Sequence, residues 1–382
     1  MKKRFFLHAP TIVKEDKYYL NKTLKENWIS TSGKNISLFE KQLANYTKAK
    51  YCIALNNGTS ALHLSLKSIN VSFGDEVIVP SLTFIATINA IKYVNADPIF
   101  MDSDDFFNID VTKTISFIKN HTIFKSGYSY NKYTKKKIKA IIPVHVWGSA
   151  VFLDDLMSIC KKRNIKIIED ASESIGTWYT KGKYKKKHTG TIGDTGCISF
   201  NSNKIITAGA GGAVITNSKK IANKIRYLST QAKNHPIKFI HDEVGYNYKI
   251  TSLHAAIGLG QIKRVDNILT KKKLIRKIYL DEMKKKDLNL NPIPNYSLNN
   301  LWMNLVNTNL NSYSELSKKI TYLSENGIET RPVWYLNHLQ KPYKKYQSYK
   351  ITNSFKLINN YICLPSGLEL TKKDIMTISK NI

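Results

Sequence analysis

Lys204 lies in the stretch SFNSNKIITAGAGGAVIT, between an asparagine–serine loop and a run of small residues. A solvated lysine needs no such surroundings, whereas a partly desolvated one loses proton affinity and becomes a nucleophile. Ser199 ends the apolar run before it, and Gly209, Gly211 and Gly212 permit a tight passage into the next run. A second stretch, EDASES, places Asp170 and Glu173 just beyond an apolar segment. Carboxylates there pair with a buried cation or cap the following helix. A third, NNGTSALHL, sets Asn57, Gly58, Thr59 and Ser60 at the start of a helical pattern. Backbone N–H groups at a helix start suit a phosphate, and Gly58 lets the backbone approach it. An ordinary N-cap has the same composition, and Lys204 read alone is equally a surface lysine in a turn.

The surrounding pattern says how these residues would be positioned. The runs EVIVP (76–80), PIFMD (98–102), KAIIPVHV (139–146), KIIED (166–170), CISF (197–200) and AVIT (213–216) read as buried strands. Between them TSALHLSLKSI, TFIATINAIKYV, LDDLMSICKKR and KIANKIRYLSTQ have helical spacing. The alternation predicts an α/β fold with a large, mostly parallel sheet covered on both faces. Ligands bind beyond the carboxyl ends of such strands, where all three stretches fall. From about residue 265 the texture changes to a long amphipathic helix, LTKKKLIRKIYLDEMKKK, followed by shorter elements. Residues 1–265, with the N-terminal arm, are expected to form the large domain, and residues 266–382 a small α+β domain. The stretch 126–140, SGYSYNKYTKKKIKA, reads as an exposed insertion.

Composition narrows the function. The 382 residues allow a sizeable core, and 42% hydrophobic with 23% charged content is ordinary for a globular chain. A net charge of +31 suggests nucleic acid, but arginine occurs only at positions 4, 163, 226, 264, 276 and 331. Arginine is the usual fork for bases and phosphates, so its scarcity argues against a nucleic-acid reader. The charge suits attraction of phosphorylated small molecules instead. No apolar run reaches the roughly 18–20 residues of a membrane span, and His8 and Pro10 interrupt the basic start before a signal core forms. A cytoplasmic protein without membrane attachment is expected. Cys52, Cys160, Cys197 and Cys363 show no paired spacing, which predicts buried thiols and no metal site.

A phosphate cradle, a strand-end aspartate and a loop lysine are together the parts that hold pyridoxal phosphate. At these residues the sequence resembles the DegT/DnrJ family of pyridoxal-phosphate-dependent sugar aminotransferases, of the aspartate-aminotransferase fold (fold type I). NWISTSGKNISLFEKQLANY, NNGTSALHL, GDEVIVPSLTFIATINAI, PVHVWG, IIEDASESIG, SFNSNKIITAGAGG, GYNYKITSLHAAIGLGQI, RPVWYLNHLQKPY and LPSGLELT follow its motifs in order, over nearly the whole chain.

The resemblance implies roles. Lys204 would be the Schiff-base lysine and proton shuttle, and Asp170 would hold the pyridinium nitrogen protonated. Glu173 would meet the ring hydroxyl, and Phe84 would stack on the ring. Gly58, Thr59, Ser60 and Ser199 would hold the phosphate. Asn247 would reach it from across a subunit boundary, implying a homodimer with shared active sites. Family members that dehydrate sugars carry His where this chain has Lys204, so the lysine points to transamination. The chain departs from the family at AGAGG and at Lys249, where relatives often have a carboxylate and an arginine; neither removes a cofactor ligand.

QAKNHPIKFIHDEVGYNYK, NKIIT and RPVWYLNHLQ most resemble the branch acting at C4 of nucleotide-linked 4-keto-6-deoxy sugars, which includes enzymes of legionaminic acid, bacillosamine and perosamine synthesis. The expected reaction is ping-pong transfer of an amino group from L-glutamate to the keto sugar. Arg331, Tyr335 and His338 are expected near the sugar nucleotide; for Arg331 a structural salt bridge is equally open. His145 either lines the pocket or is a satisfied buried histidine. Two other functions stay in view: the same chemistry at another keto position such as C3, and a non-catalytic basic binding protein.

Overall fold

The computed structural model describes residues 3–235, 237–310 and 312–382. Helices α1 (Lys14–Lys25) and α2 (Lys34–Thr47) follow an N-terminal arm. Strands and helices then alternate: β1 (Tyr51–Leu55), α3 (Gly58–Ser68), β2 (Asp75–Pro80), α4 (Ala86–Tyr93), β3 (Asp97–Met101) and α5 (Val111–Asn120). Next come β4 (Thr122–Lys125), β5 (Tyr128–Asn131), β6 (Lys137–Ile141), α6 (Asp154–Lys162), β7 (Lys166–Asp170) and β8 (Trp178–Tyr179). β9 (Thr195–Ser199), β10 (Gly212–Thr216), α7 (Lys219–Leu228), α8 (Ser252–Lys263) and α9 (Val265–Lys284) follow. The chain closes with β11 (Ser297–Leu298), β12 (Asn304–Asn307), α10 (Tyr313–Glu325), β13 (Arg331–Pro332), β14 (Ser348–Tyr349), α11 (Asn353–Asn360), β15 (Tyr361–Leu364) and α12 (Lys372–Asn381).

The large sheet has the order β1–β10–β9–β7–β6–β2–β3–β14, with β5 pairing β6 at a branch. Along that path every strand runs parallel except β10, which is antiparallel to both neighbours. Alternate side chains go to opposite faces. Val77 and Val79 meet Leu62, Ile88 and Ile225 of α3, α4 and α7, while Ile78 joins Ile99, Ile141, Phe117 and Leu156 on the other side. Nearer β1, Ala54 and Ile215 pack with Phe39, Leu43 and Leu259 of α2 and α8. Each such fully buried aliphatic or aromatic side chain contributes roughly 1.5–3 kcal/mol. Gly258 of α8 is needed for that fit, since a Cβ there would lie 2.7 Å from Phe39 Cζ.

The stretch 126–140 corrects the expectation of an exposed insertion in part: residues 126–128 and most of 132–136 are exposed, but the rest enters the sheet. It supplies β5 and most of β6, an interior strand between β2 and β7. Ser129 and Asn131 are fully buried, and Asn131 donates to Glu76 Oε2 at 2.9 Å. Lys132, Lys135 and Lys136 lie in the exposed turn between β5 and β6, where Lys136 pairs with Asp97 at 2.5 Å.

A second sheet, β12–β15–β13, is antiparallel and packs Val306 and Ile362 toward Tyr279 of α9 and Ile375 of α12, while Leu305 faces the opposite side with Met303 and Val333. Segments cross between the two halves of the chain in both directions. Phe5 of the arm donates its N–H to the Gly327 carbonyl and joins the core under the second sheet. β14 returns to pair with β3 of the large sheet. Among the described residues no helix is long and apolar enough to cross a membrane, and the four cysteines are free and buried.

Candidate active site

Strand register brings the three sequence stretches to one edge. Leu55 at the end of β1 pairs with Gly212, and Gly212 pairs with Ser199 at the end of β9. Asp170, ending β7, pairs with Cys197 of β9. Above this edge lies a cavity of about 1100 Å³ whose walls include Gly58, Thr59, Phe84, Asp170, Glu173, Ser199 and Lys204.

The first wall is the start of α3. Asn57 is extended, and its Oδ1 accepts the Ser60 N–H at 2.7 Å as an N-cap. The Gly58 and Thr59 amides, one turn too early for helical partners, stay available to an anion. A Cβ on Gly58 would sit 3.0 Å from Ser199 Cβ and 3.3 Å from Ser172 Oγ, so the glycine leaves room where two hydroxyl side chains converge. A Cβ on Gly212 would come within 2.4 Å of the Asn57 backbone, which demands glycine there as well. Ser60 itself is buried outside the cavity wall.

The second wall is Asp170, almost wholly buried. Its Oδ2 accepts from Thr87 Oγ1 at 2.8 Å and its Oδ1 from the Ser172 N–H at 3.1 Å. The preceding Glu169 anchors the strand end from behind, accepting from His145 Nε2 at 3.0 Å and from the Gly190, Ile192 and Gly193 amides. Burial would raise that carboxyl, but His145 and the amides outweigh it and hold it below its usual range. His145 is therefore the satisfied buried histidine of the two sequence alternatives.

The third wall carries the amine. Lys204 Nζ donates to Glu173 Oε1 at 3.0 Å and lies 4.1 Å from the Trp302 ring centroid. Glu173 Oε2 accepts the Trp147 N–H at 2.8 Å. Burial pushes the Glu173 carboxyl up, and Lys204 opposes that shift. An amine between a carboxylate and the Trp302 face is largely screened from bulk water, and it lines the same cavity as Asp170.

The remaining expected residues divide. Phe84 (54% exposed) and Tyr335 (50% exposed) lie on the cavity wall, with Phe84 6.1 Å from the Trp334 ring. Arg331 is also on the wall, paired with Glu329 at 2.7 Å. His338 does not line the cavity: its Nδ1 meets Ser81 Oγ at 2.6 Å and its ring packs on Phe100 and Phe355. Asn247 is exposed and outside the cavity of its own chain. Sequence reading missed Thr87, Trp147, Ser172 and Trp302. Ser172 was detectable as a neighbour of Asp170, whereas the others have no local signature.

Residues 10–382 match the DegT/DnrJ/EryC1/StrS aminotransferase family. The chain is 35% identical over 383 residues to the GDP-perosamine synthase of Escherichia coli O157:H7, covering 98% of this chain and 97% of that one. Among solved structures, a DegT DnrJ EryC1 StrS aminotransferase from Brucella abortus superposes with a TM-score of 0.86 at 25% identity, covering 96% and 94% of the two chains. The fold is also that of a Streptococcus pneumoniae protein solved in its PLP-form, with a TM-score of 0.85, 22% identity and complete coverage of both chains. A match of this length, with the lysine and aspartate facing one cavity, leads to one assignment: the chain belongs to the DegT/DnrJ/EryC1/StrS aminotransferase family.

Proposed function

We propose that this aminotransferase uses pyridoxal phosphate to move an amino group from L-glutamate to the C4 keto group of a nucleotide-linked 4-keto-6-deoxy sugar. The reaction would take place in the cytoplasm and serve synthesis of a surface-glycan amino sugar. The observation that carries the reading is the placement of Lys204 Nζ, 3.0 Å from Glu173 in a cavity whose wall includes Asp170.

The residues present fit the cofactor. The space left by the missing Gly58 side chain, beside Ser172 and Ser199, suits a phosphate on the α3 amides. When bound, pyridoxal phosphate supplies an aldehyde that carries the amino group and a protonated ring that accepts electrons. Asp170, oriented by Thr87, would hold the proton on the ring nitrogen. Phe84 would cover one ring face, and Glu173 would meet the ring hydroxyl. Lys204 would bond the cofactor covalently and, once released, take a proton at the substrate carbon and return it. Trp147 and Trp302 would keep water from that exchange. Arg331 and Tyr335 would receive the anionic end of a substrate, and we assign His338 to holding the Ser81 loop in place. Asn247, facing away from its own cavity, would serve the phosphate of a second copy in a homodimer. In the stretch of chain before it, Phe239 and Val244 are exposed in the single chain, as a subunit contact requires.

The E. coli relative is named for GDP-perosamine, which supports a nucleotide-linked acceptor. The test is incubation of purified enzyme with glutamate and either a UDP- or a GDP-linked 4-keto-6-deoxy sugar. An amino sugar and 2-oxoglutarate are expected with one of them. No amino sugar from either sinks the reading, and amination of a 3-keto isomer alone moves the reaction to C3.

A further inference from the structure

Trp302 is far from Lys204 in sequence, yet its indole face lies 4.1 Å from Lys204 Nζ. The residue is pinned through both its ring and its backbone. Its Nε1–H donates to the Asn203 carbonyl at 2.7 Å, one residue before the lysine, so indole and amine are tied to one loop. The Trp302 N–H donates to Asn300 Oδ1 at 3.0 Å. The Trp302 carbonyl accepts from Lys272 Nζ at 3.0 Å. Lys272 is fully buried in α9, and its other contacts are the Ser366 carbonyl and His8 Nε2. While it keeps its proton, the ammonium has three N–H donors and no acceptor, and these three neighbours match that number. Burying such a group is costly, and here it secures the backbone of the residue that faces the amine.

The charged groups around Lys204 also leave Trp302 a distinct part. Glu173 contacts the amine directly, while Asp170 lies deeper on β7. His8 of the arm is close enough to feel Lys204, and burial leads the causes that keep it well below its ordinary value. Arg331 is engaged with Glu329. The amine is therefore held by one carboxylate on one side and one π face on the other. An aromatic face attracts a cation most strongly when it is tryptophan and the site is shielded from water.

We propose that Trp302 is a positioning residue for the catalytic amine: its indole face, with Glu173, holds the Lys204 ammonium whenever the amine is not covalently attached. Its place in the catalytic cycle rests on the aminotransferase reading. In each half-reaction Lys204 must leave its bond, hold a proton and return, and the Glu173–Trp302 cleft is where it waits. A lysine lacking that cleft would swing among many rotamers and meet water.

The test uses cofactor-free full-length protein and acetic anhydride, with mass spectrometry of the peptide containing Lys204 as the readout. Fluorinated tryptophans placed at position 302 by nonsense suppression keep the ring's shape and weaken its negative face with each fluorine. Modification of Lys204 should quicken stepwise along that series and about three- to tenfold in Trp302→Leu. The thermal midpoint of the fluorinated proteins should stay at the parental value. A flat series, or a leucine variant reacting at the parental rate, overturns the proposal. Because no substrate is involved, failure here is separable from failure of the sugar assay.

Discussion

Thr87 Oγ1 donates to Asp170 Oδ2 at 2.8 Å, joining the first turn of α4 to the end of β7. A carboxylate that must hold a proton on a ring nitrogen needs a fixed orientation, and this hydroxyl supplies one of its two local bonds. Thr87→Val keeps the shape and deletes the donor. Turnover is expected to fall about two- to tenfold, the weight of one hydrogen bond. Asp170→Asn, which removes the charge itself, should cost far more. Equal effects in a kcat comparison would show that Thr87 orients nothing.

Replacing Lys204 by alanine removes the one lysine amine that, among the described residues, lines the cavity. A loss of at least about 10²–10⁴-fold in turnover is expected, since proton transfer goes with it. Borohydride should bleach the yellow absorbance of the purified parent and fix the cofactor to the Lys204 peptide, whereas no cofactor should be fixed to the variant. A variant that keeps parental turnover refutes the assignment of the lysine.

Lys272 gives a pH test of folding. Burial, opposed by Glu369, lowers it from an ordinary 10.5 to about 7. Between these two values the unfolded chain keeps the proton and the folded chain releases it. The unfolded state binds more protons there, so stability rises with pH across that window, by at most about 1.4 kcal/mol per pH unit. His8, held well below its ordinary value, stays neutral and adds nothing to this slope. Lys272→Met should flatten the slope in urea unfolding between about pH 7 and 10. Matching slopes in parent and variant would mean that Lys272 keeps its proton in the folded state.

Shared sites make a prediction about mixtures. If Asn247 serves a second copy, Lys204→Ala and Asn247→Ala each inactivate as pure dimers but complement when co-refolded. Half of a random mixture is mixed dimer with one intact site of two, so about a quarter of parental activity should return. A mixture as inactive as its components means that each chain is self-sufficient or that no dimer exchanges.

Much of the fold was legible because buried parallel strands need near-continuous apolar runs and helices need a 3.6-residue period. The runs at 76–80, 166–170 and 213–216 lie in β2, β7 and β10. The reading failed at 126–140, where β5 was missed and the β6 strand, read as beginning at residue 139, starts at Lys137. Lys204 stood out through its local surroundings, and Phe84 through the family resemblance. His338 stood on the right loop, but a bond to Ser81 turns it away from the cavity.

By itself the sequence determined the alternating fold and the family, and it singled out the amine of Lys204, the carboxylate of Asp170 and the glycine at position 58 as candidates. Those depend on patterns a few residues long, set by backbone sterics and by which side chains need burial. Only the tertiary structure decided that Trp302 faces Lys204, that Thr87 orients Asp170, and that a buried Lys272 braces both Trp302 and His8. Such pairings join positions up to 264 residues apart. They arise from how separately formed elements pack, and no local periodicity encodes them.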